Sequence, residues 1–382
     1  MIQKNTVIVC GDVISNILGD IRSFGELGYY VYVVWLNPCH IPHTPKDSKY
    51  ISEFYEFANI EAGMDFLQKK FQNNTSTKYL LSVGADDIMA YLNRNYEIFS
   101  KLFVFFHWKS PDYLRLMQKE EMCSVAEKVG LKVPKLRIVD ISESTPIPDI
   151  QFPIFIKAAN SLSPTWKAQT KICENKDDLL AYYKTHLGKS VICQEFVKKK
   201  TEYHVEGISL NYGEHVYIPI QGKYFRAPDN GYGSYQYLEP YNYGEDLYNK
   251  LVSLMKETHY TGVFEIEFLE TEDGKLYFLE INFRYTAFHH CLVKMGVNLS
   301  KIWADYEYTG TFKPIPKNRI KPYHIIMNEF LDVQQIKEIP HYNLFHWCKD
   351  ILHTDGFYVF DRHDIKPFLF YIYDSVFTKY RK

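Results

Sequence analysis

Residues 262–285 read GVFEIEFLETEDGKLYFLEINFRY and set Glu265, Glu267, Glu280, Asn282 and Arg284 among apolar neighbours. The alternation has a period of two, which marks strands rather than helices. Asp273-Gly274 is a strong two-residue turn signal, so the stretch is expected to fold as an antiparallel hairpin. With that loop, Leu269 faces Phe278, Glu267 faces Glu280, and Glu265 faces Asn282. All these positions then share one face of the sheet. Two glutamates directly opposite each other repel. If they are also partly buried, one must take up a proton unless a cation lies between them. Oxygen donors from Glu267, Glu280 and Asn282 suit Mg²⁺ or Mn²⁺, with positions left for water and phosphate. Arg284 adds a fixed positive charge two residues on. A plainer reading is a solvent-facing strand whose glutamates pair with nearby lysines, and the pattern alone does not separate the two.

Other elements must bring a substrate to such a hairpin. The chain has 382 residues, enough for two or three domains. Residues 6–36 read strand, helix, strand, with Ile14, Ile17, Leu18, Ile21 and Phe24 at helical spacing, and residues 78–103 repeat the order. This βαβ pattern implies a parallel sheet covered by helices, over about residues 1–115. The first strand runs into CGDVISN, without the glycine fingerprint of dinucleotide sites, which argues against NAD binding. A helix is expected over 112–134, stopped by the following Gly and Pro, and a Pro/Ser-rich linker over 139–153. PIFIKA at 153–158 is a short buried strand ending in Lys157, and SVICQEFV at 190–197 is a second, with a helix between them. Strands dominate from 203 to the hairpin, and 286–310 turns helical. Residues 313–382 are a Pro/basic connector and an aromatic tail. That tail is expected to dock on the rest of the chain or to join copies in a homo-oligomer, rather than to lie on a membrane. Asp361 and Asp364 are expected as caps.

Composition removes several classes. The net charge is −2 and the pI about 6.7, with no basic footprint for nucleic acid. No apolar run is long enough for a membrane span. Seven scattered cysteines without a CxxC pattern read as reduced thiols of a cytoplasmic protein. His40-x-x-His43 and His289-His290 lack the spacing of a zinc site.

The hairpin, with Glu267 followed by Glu280-Ile-Asn282-Phe-Arg284, resembles the ATP-grasp superfamily, in particular its carboxylate–amine ligase branch. D-aspartate ligases and the large subunit of carbamoyl phosphate synthase are of this kind. The resemblance covers roughly residues 1–310. It implies a Rossmann-like N-terminal domain, a β-rich ATP-grasp domain over 116–312 and, within that, a small lid at about 153–197. QKEEMCSVAEKVGLKVP is similar to the family's lysine-bearing helix, which implies Lys119 as one ATP-phosphate ligand. FPIFIKA is similar to the strand that carries the other, Lys157, although Ala158 replaces the usual proline. QEFV resembles the adenine hinge, with Glu195 near the exocyclic amine, Phe196 and Val197 along the base, and Glu202 toward the ribose. GKYFRAPDNGYGSY implies Lys223 and Arg226 beside the transferred group, together with Arg284. The loop NSLSPTWKAQTK departs from the family in having no glycine, so Ser161, Ser163, Thr165 and Lys167 are left as its donors.

The implied chemistry uses ATP with Mg²⁺ or Mn²⁺. A carboxylate takes the γ-phosphoryl group, ADP leaves, and an amine or thiol displaces phosphate. Two lysines from separate elements grip the phosphates while metal neutralises the β/γ oxygens. A kinase on the same fold, or a nucleotide-binding module without turnover, fits the same residues. The sequence does not name the carboxylate or the amine.

Overall fold

The computed structural model describes residues 1–37, 44–73, 76–109, 113–158, 170–228, 233–339 and 342–377. His40, His43 and the Ser161–Lys167 donors lie outside the described residues.

The N-terminal part is a parallel five-stranded sheet flanked by helices. Its first strand, Ile2–Gly11, lies between Tyr30–Leu36 and Lys78–Val83. Val7, Ile8 and Val9 are wholly buried, as an apolar run covered on both faces requires. The expected amphipathic helix forms at Ile14–Gly25 and buries Ile17, Leu18, Ile21 and Phe24. Asn16 Nδ2, in the first turn of that helix, donates to Gly84 O at 3.0 Å, just past the end of Lys78–Val83, and ties the helix start to the carboxyl edge of the sheet.

A smaller antiparallel sheet follows, with four strands. It contains Ile154–Ala158 and Ser190–Glu195, joined through Lys176–Thr185, the helix that Asn175 caps by accepting from Asp178 N at 3.0 Å. It also takes in Leu136–Asp140, so part of the segment expected as a linker is a strand. The expected helix over 112–134 is interrupted. It forms as Tyr113–Leu116 and Lys119–Lys128, which places Lys119 in the first turn of the second piece.

The largest sheet has eight strands. The hairpin strands Tyr260–Glu270 and Leu276–Asn282 flank one side of a central strand, Thr201–Leu210. His215–Arg226 and Tyr235–Pro240 continue on the other side. The helix Glu245–Thr258, with Leu251, Leu254 and Met255 buried, sits within the stretch where strands were expected to dominate.

The aromatic C-terminal segment extends this sheet rather than merely covering it. His324–Met327 pairs antiparallel with Tyr235–Pro240, and Gly356–Phe357 pairs parallel with His324–Met327. Asp364 is not a cap. It forms a buried ion pair with Arg22 of the N-terminal sheet layer at 3.0 Å and accepts from Ser48 Oγ at 2.7 Å. Asp361 pairs with Lys294 at 2.8 Å. The last helix, Lys366–Phe377, stacks Tyr371 on Phe330 at 4.0 Å. No helix among the described residues is long and apolar enough to cross a membrane.

Candidate functional site

The hairpin forms with the expected pairs at its acidic end. Glu267 faces Glu280, and Glu265 faces Asn282. The route to that register differs from the expected one. The loop is not two residues long: Thr271 N donates to Lys275 O at 3.0 Å, and Gly274 takes φ +74°. This moves the register by one residue, so that Leu269 faces Tyr277 and Phe268 faces Phe278. A bulge at Leu279 then restores the register before the acids are reached. Phe278 is therefore buried with Phe268 on the opposite face from Glu267, at a ring separation of 6.1 Å.

The central strand adds to the acidic face. His204 pairs with Glu267 and Glu206 with Glu265, so residues 202, 204 and 206 lie on the same face as the hairpin acids. Asn282 Nδ2 donates to Glu265 Oε2 and to Glu267 Oε1, each at 2.8 Å. This fixes the amide nitrogen on the carboxylates and leaves the amide oxygen as the outward donor. Burial and neighbouring acids push Glu265 and Glu267 well above the usual carboxylate range. Burial also pushes Glu206 up, and it pushes His204 down to about 4. Such a cluster is costly as bare anions and is relieved by cations or protons.

Cations stand on the facing elements. Lys157 is the penultimate residue of the strand Ile154–Ala158, and Lys119 opens the helix that packs against the return strand of the hairpin. Burial, then the charge of Lys119, pushes Lys157 down to about 7, while Glu280 opposes the shift. Lys119 Nζ is buried and meets no hydrogen-bond partner among the described residues. Two lysine side chains brought together in this way, one of them unpartnered, make a locally positive pocket wall. Arg284 reaches the edge of the cluster. Its Nε pairs with Asp86 Oδ1 at 3.0 Å, and one terminal nitrogen lies 3.4 Å from Asn282 Oδ1. Asp86 lies in the first turn of a helix of the N-terminal layer, so that layer also borders the site.

The residues expected as the adenine hinge lie at and just after the end of the strand Ser190–Glu195. Glu195 Oε2 accepts from Lys135 N at 3.1 Å, and Phe196 N donates to Pro153 O at 3.2 Å. Phe196 and Val197 are half-buried. Glu202 accepts from Lys199 Nζ at 2.6 Å, and Lys199 also donates to Pro228 O at 2.6 Å.

Two expected residues are not brought to the cluster. Lys223 is paired across strands with Tyr203, on the opposite face from His204, and its ammonium lies 2.7 Å from Glu270 Oε2. Arg226 is engaged by the C-terminal segment. Its guanidinium makes two 2.9 Å bonds to Asp332 and one of 2.7 Å to Asp350, over the ring of Tyr235. Both corrections have one cause: alternation along a strand and a bulge near residue 225 decide the face, and the spacing of charged letters does not show it. His289 and His290 are likewise core residues, bonded to Ser300 Oγ and Glu26 Oε1, each at 3.0 Å.

Three residues next to the expected ones were not singled out in the sequence: Lys199, which donates to Glu202, and His204 and Glu206, which pair with Glu267 and Glu265. The signal for the last two was present. EYHVEGI puts Glu202, His204 and Glu206 at alternate positions, the same pattern that singled out the hairpin.

No family model and no curated protein matches the chain. Solved structures do. An L-amino acid ligase from Bacillus licheniformis is similar over 85% of this chain and 80% of that one, at 13% identity and a TM-score of 0.62. The chain has the ATP-grasp fold. The biotin carboxylase domain of Hydrogenobacter thermophilus 2-oxoglutarate carboxylase, solved with MgADP, ADP and bicarbonate, is similar over 84% and 73% of the two chains. Its identity is 17% and its TM-score 0.62. N5-carboxyaminoimidazole synthetase from Staphylococcus aureus, complexed with ADP, is similar over 77% and 74%, at 14% identity and a TM-score of 0.57. At these identities the likeness is one of fold.

Proposed function

We propose that the chain is an ATP-dependent ligase that joins a small carboxylate to an amine, or to a thiol, with release of ADP and phosphate. One observation carries this reading. The buried, unpartnered amine of Lys119 and the Lys157 side chain lie close to Glu280, whose cross-strand partner is Glu267 and which stands two residues from Asn282. A polyphosphate chelated to a divalent cation complements both halves at once: its oxygens meet the lysines, and its metal meets the acids.

Glu267, Glu280 and the Asn282 amide oxygen would hold Mg²⁺ or Mn²⁺, which when bound neutralises β- and γ-phosphate charge. Lys119 and Lys157 hold and orient the phosphates. Glu195, Phe196 and Val197 border the adenine, and Glu202, set by Lys199, faces the ribose. Arg284, anchored by Asp86, stands where charge gathers on the transferring group and stabilises it electrostatically. The substrate carboxylate attacks the γ-phosphorus, the bond to the β–γ bridging oxygen breaks, and ADP leaves. The amine nitrogen then attacks the acyl carbon, phosphate leaves, and the amine gives up a proton. The fold of the solved neighbours supports this reading.

The test is ADP formation from Mg-ATP with pools of carboxylates, using hydroxylamine as the surrogate amine. ADP together with a hydroxamate is the expected result, and dividing the active pool names the acid. AMP in place of ADP would overturn the mechanism. A stable phosphate ester in place of a hydroxamate would make the protein a kinase.

A further inference from the structure

On the same sheet face, beside Glu267 and Asn282, lies a second group of candidate ligands. His204, Glu206 and Glu265 are 1%, 3% and 5% exposed, and one ligand atom from each lies within 4.8 Å of the others. His204 Nδ1 is 3.4 Å from Glu206 Oε1 and 3.8 Å from Glu265 Oε1. Both distances exceed an ordinary hydrogen bond. His204 Nδ1 and Glu206 Oε1 are buried without a hydrogen-bond partner among the described residues.

The tautomer sharpens the point. His204 Nε2 lies 2.5 Å from Gln236 Oε1, while Gln236 Nε2 donates to the Tyr358 hydroxyl at 2.8 Å. With the Gln236 amide in this orientation its oxygen accepts from His204, which then carries its proton on Nε2. The Nδ1 lone pair is left facing two carboxylates. Three acceptors aimed at one point need something positive between them. Bonds of about 2.1 Å to a tetrahedral ion place neighbouring donors about 3.4 Å apart, which matches the His204–Glu206 separation and requires Glu265 to close in by a few tenths of an ångström. A metal-bound imidazole also keeps its other N–H on a fixed acceptor, and Gln236 is that acceptor. The backbone makes room for the ring: a Cβ on Gly222, the cross-strand neighbour of His204, would stand 2.3 Å from Nε2.

We propose that His204, Glu206 and Glu265 bind one divalent transition-metal ion, Zn²⁺ or Mn²⁺, in a site distinct from that of the nucleotide's metal. One imidazole with two carboxylates suits these ions better than Mg²⁺, which favours an all-oxygen shell. Two carboxylates balance the ion's charge, and the ion ties the central strand to the hairpin. Glu265 links the two sites, because its other oxygen accepts from Asn282 Nδ2 at 2.8 Å. The ion thus acts as a positioning element for Asn282.

The experiment uses full-length protein, stripped with EDTA and free of nucleotide, dialysed against ZnCl₂ or MnCl₂ and analysed for bound metal. One equivalent of either ion is expected in the wild type and in Glu280→Gln, with binding at least tenfold weaker in His204→Gln. With Mn²⁺, pulsed electron paramagnetic resonance should show coupling to an imidazole nitrogen that His204→Gln removes. If His204→Gln does not fold, Gln236→Met serves instead. It leaves the three ligands in place, and an affinity loss of about 10–100-fold is expected from the missing acceptor. No stoichiometric binding to the wild type would overturn the proposal and leave a shared proton in the cluster. Binding lost in Glu280→Gln but kept in His204→Gln would overturn it too, by assigning the ion to the nucleotide site.

Discussion

At the scale of single residues, the site is a set of charges that the free protein holds at a cost. Lys157 shows it best. Burial and Lys119 depress its pKa to about 7, far below the usual lysine range. At pH 8 its side chain is therefore mainly neutral in the free protein. Phosphate oxygens beside it favour the ammonium and raise its pKa, so binding must draw a proton from solvent. Calorimetry of Mg²⁺-free ADP binding at pH 8, in two buffers of different ionisation enthalpy, should show uptake of up to about one proton. Uptake should fade toward pH 6, where Lys157 is already charged. Lys157→Arg, which stays charged, should bind without uptake. Uptake that survives in Lys157→Arg would remove Lys157 from the phosphate site. Lys157, Glu267, Glu280 and Asn282 could be singled out in the sequence because each interrupts an apolar strand pattern, and Lys119 because it opens a patterned helix. Lys199 was not, since its partner Pro228 O comes from a different loop.

At the scale of elements, the hairpin shows why a correct pairing can rest on a wrong loop. The sequence pattern supports a two-residue turn, and nothing in it announces the bulge at Leu279. The two departures offset each other, so Glu280 meets Glu267 by either route. Deleting Leu279 should close the bulge and leave a regular ladder, with Phe278 still opposite Phe268 and Glu280 still opposite Glu267. ADP binding should then be retained within a few-fold, as in Leu279→Ala. Loss of binding in the deletion alone would show that the bulge itself aims Glu280. Gly274 carries a separate cost. Alanine at φ +74° should destabilise the protein by about 1–2 kcal/mol in urea unfolding, leaving ADP affinity unchanged. The N-terminal βαβ units were readable because buried parallel strands are near-continuous apolar runs. The helix Glu245–Thr258 was overlooked among strands, although Leu247, Leu251, Leu254 and Met255 lie at helical spacing.

At the scale of the whole molecule, the C-terminal segment is part of the framework that carries the site. Arg22–Asp364 pins it to the N-terminal layer, and Arg226 with Asp332 and Asp350 pins it to the strand next to the central one. No sequence pattern could reveal these pairs, since Arg22 and Asp364 meet only through tertiary structure. They give Arg226 a role that can be told apart from catalysis. Asp332 is wholly buried, and removing its partner leaves an uncompensated charge, a change that costs about 3–5 kcal/mol. Arg226→Ala should therefore lower the denaturation midpoint strongly. Arg226→Lys should recover only part of the loss, because an ammonium cannot reproduce the two-pronged contact with Asp332. Assayed below its melting range, Arg226→Ala should keep kcat for ADP formation within a few-fold of the wild type, while Arg284→Ala should lose it with little change in stability. The reverse result, an unchanged midpoint with collapsed turnover in Arg226→Ala, would return Arg226 to the reacting groups. It would also mean that the segment swings away from Arg226 during the reaction, since the guanidinium cannot serve both Asp332 and a transferring phosphate at once.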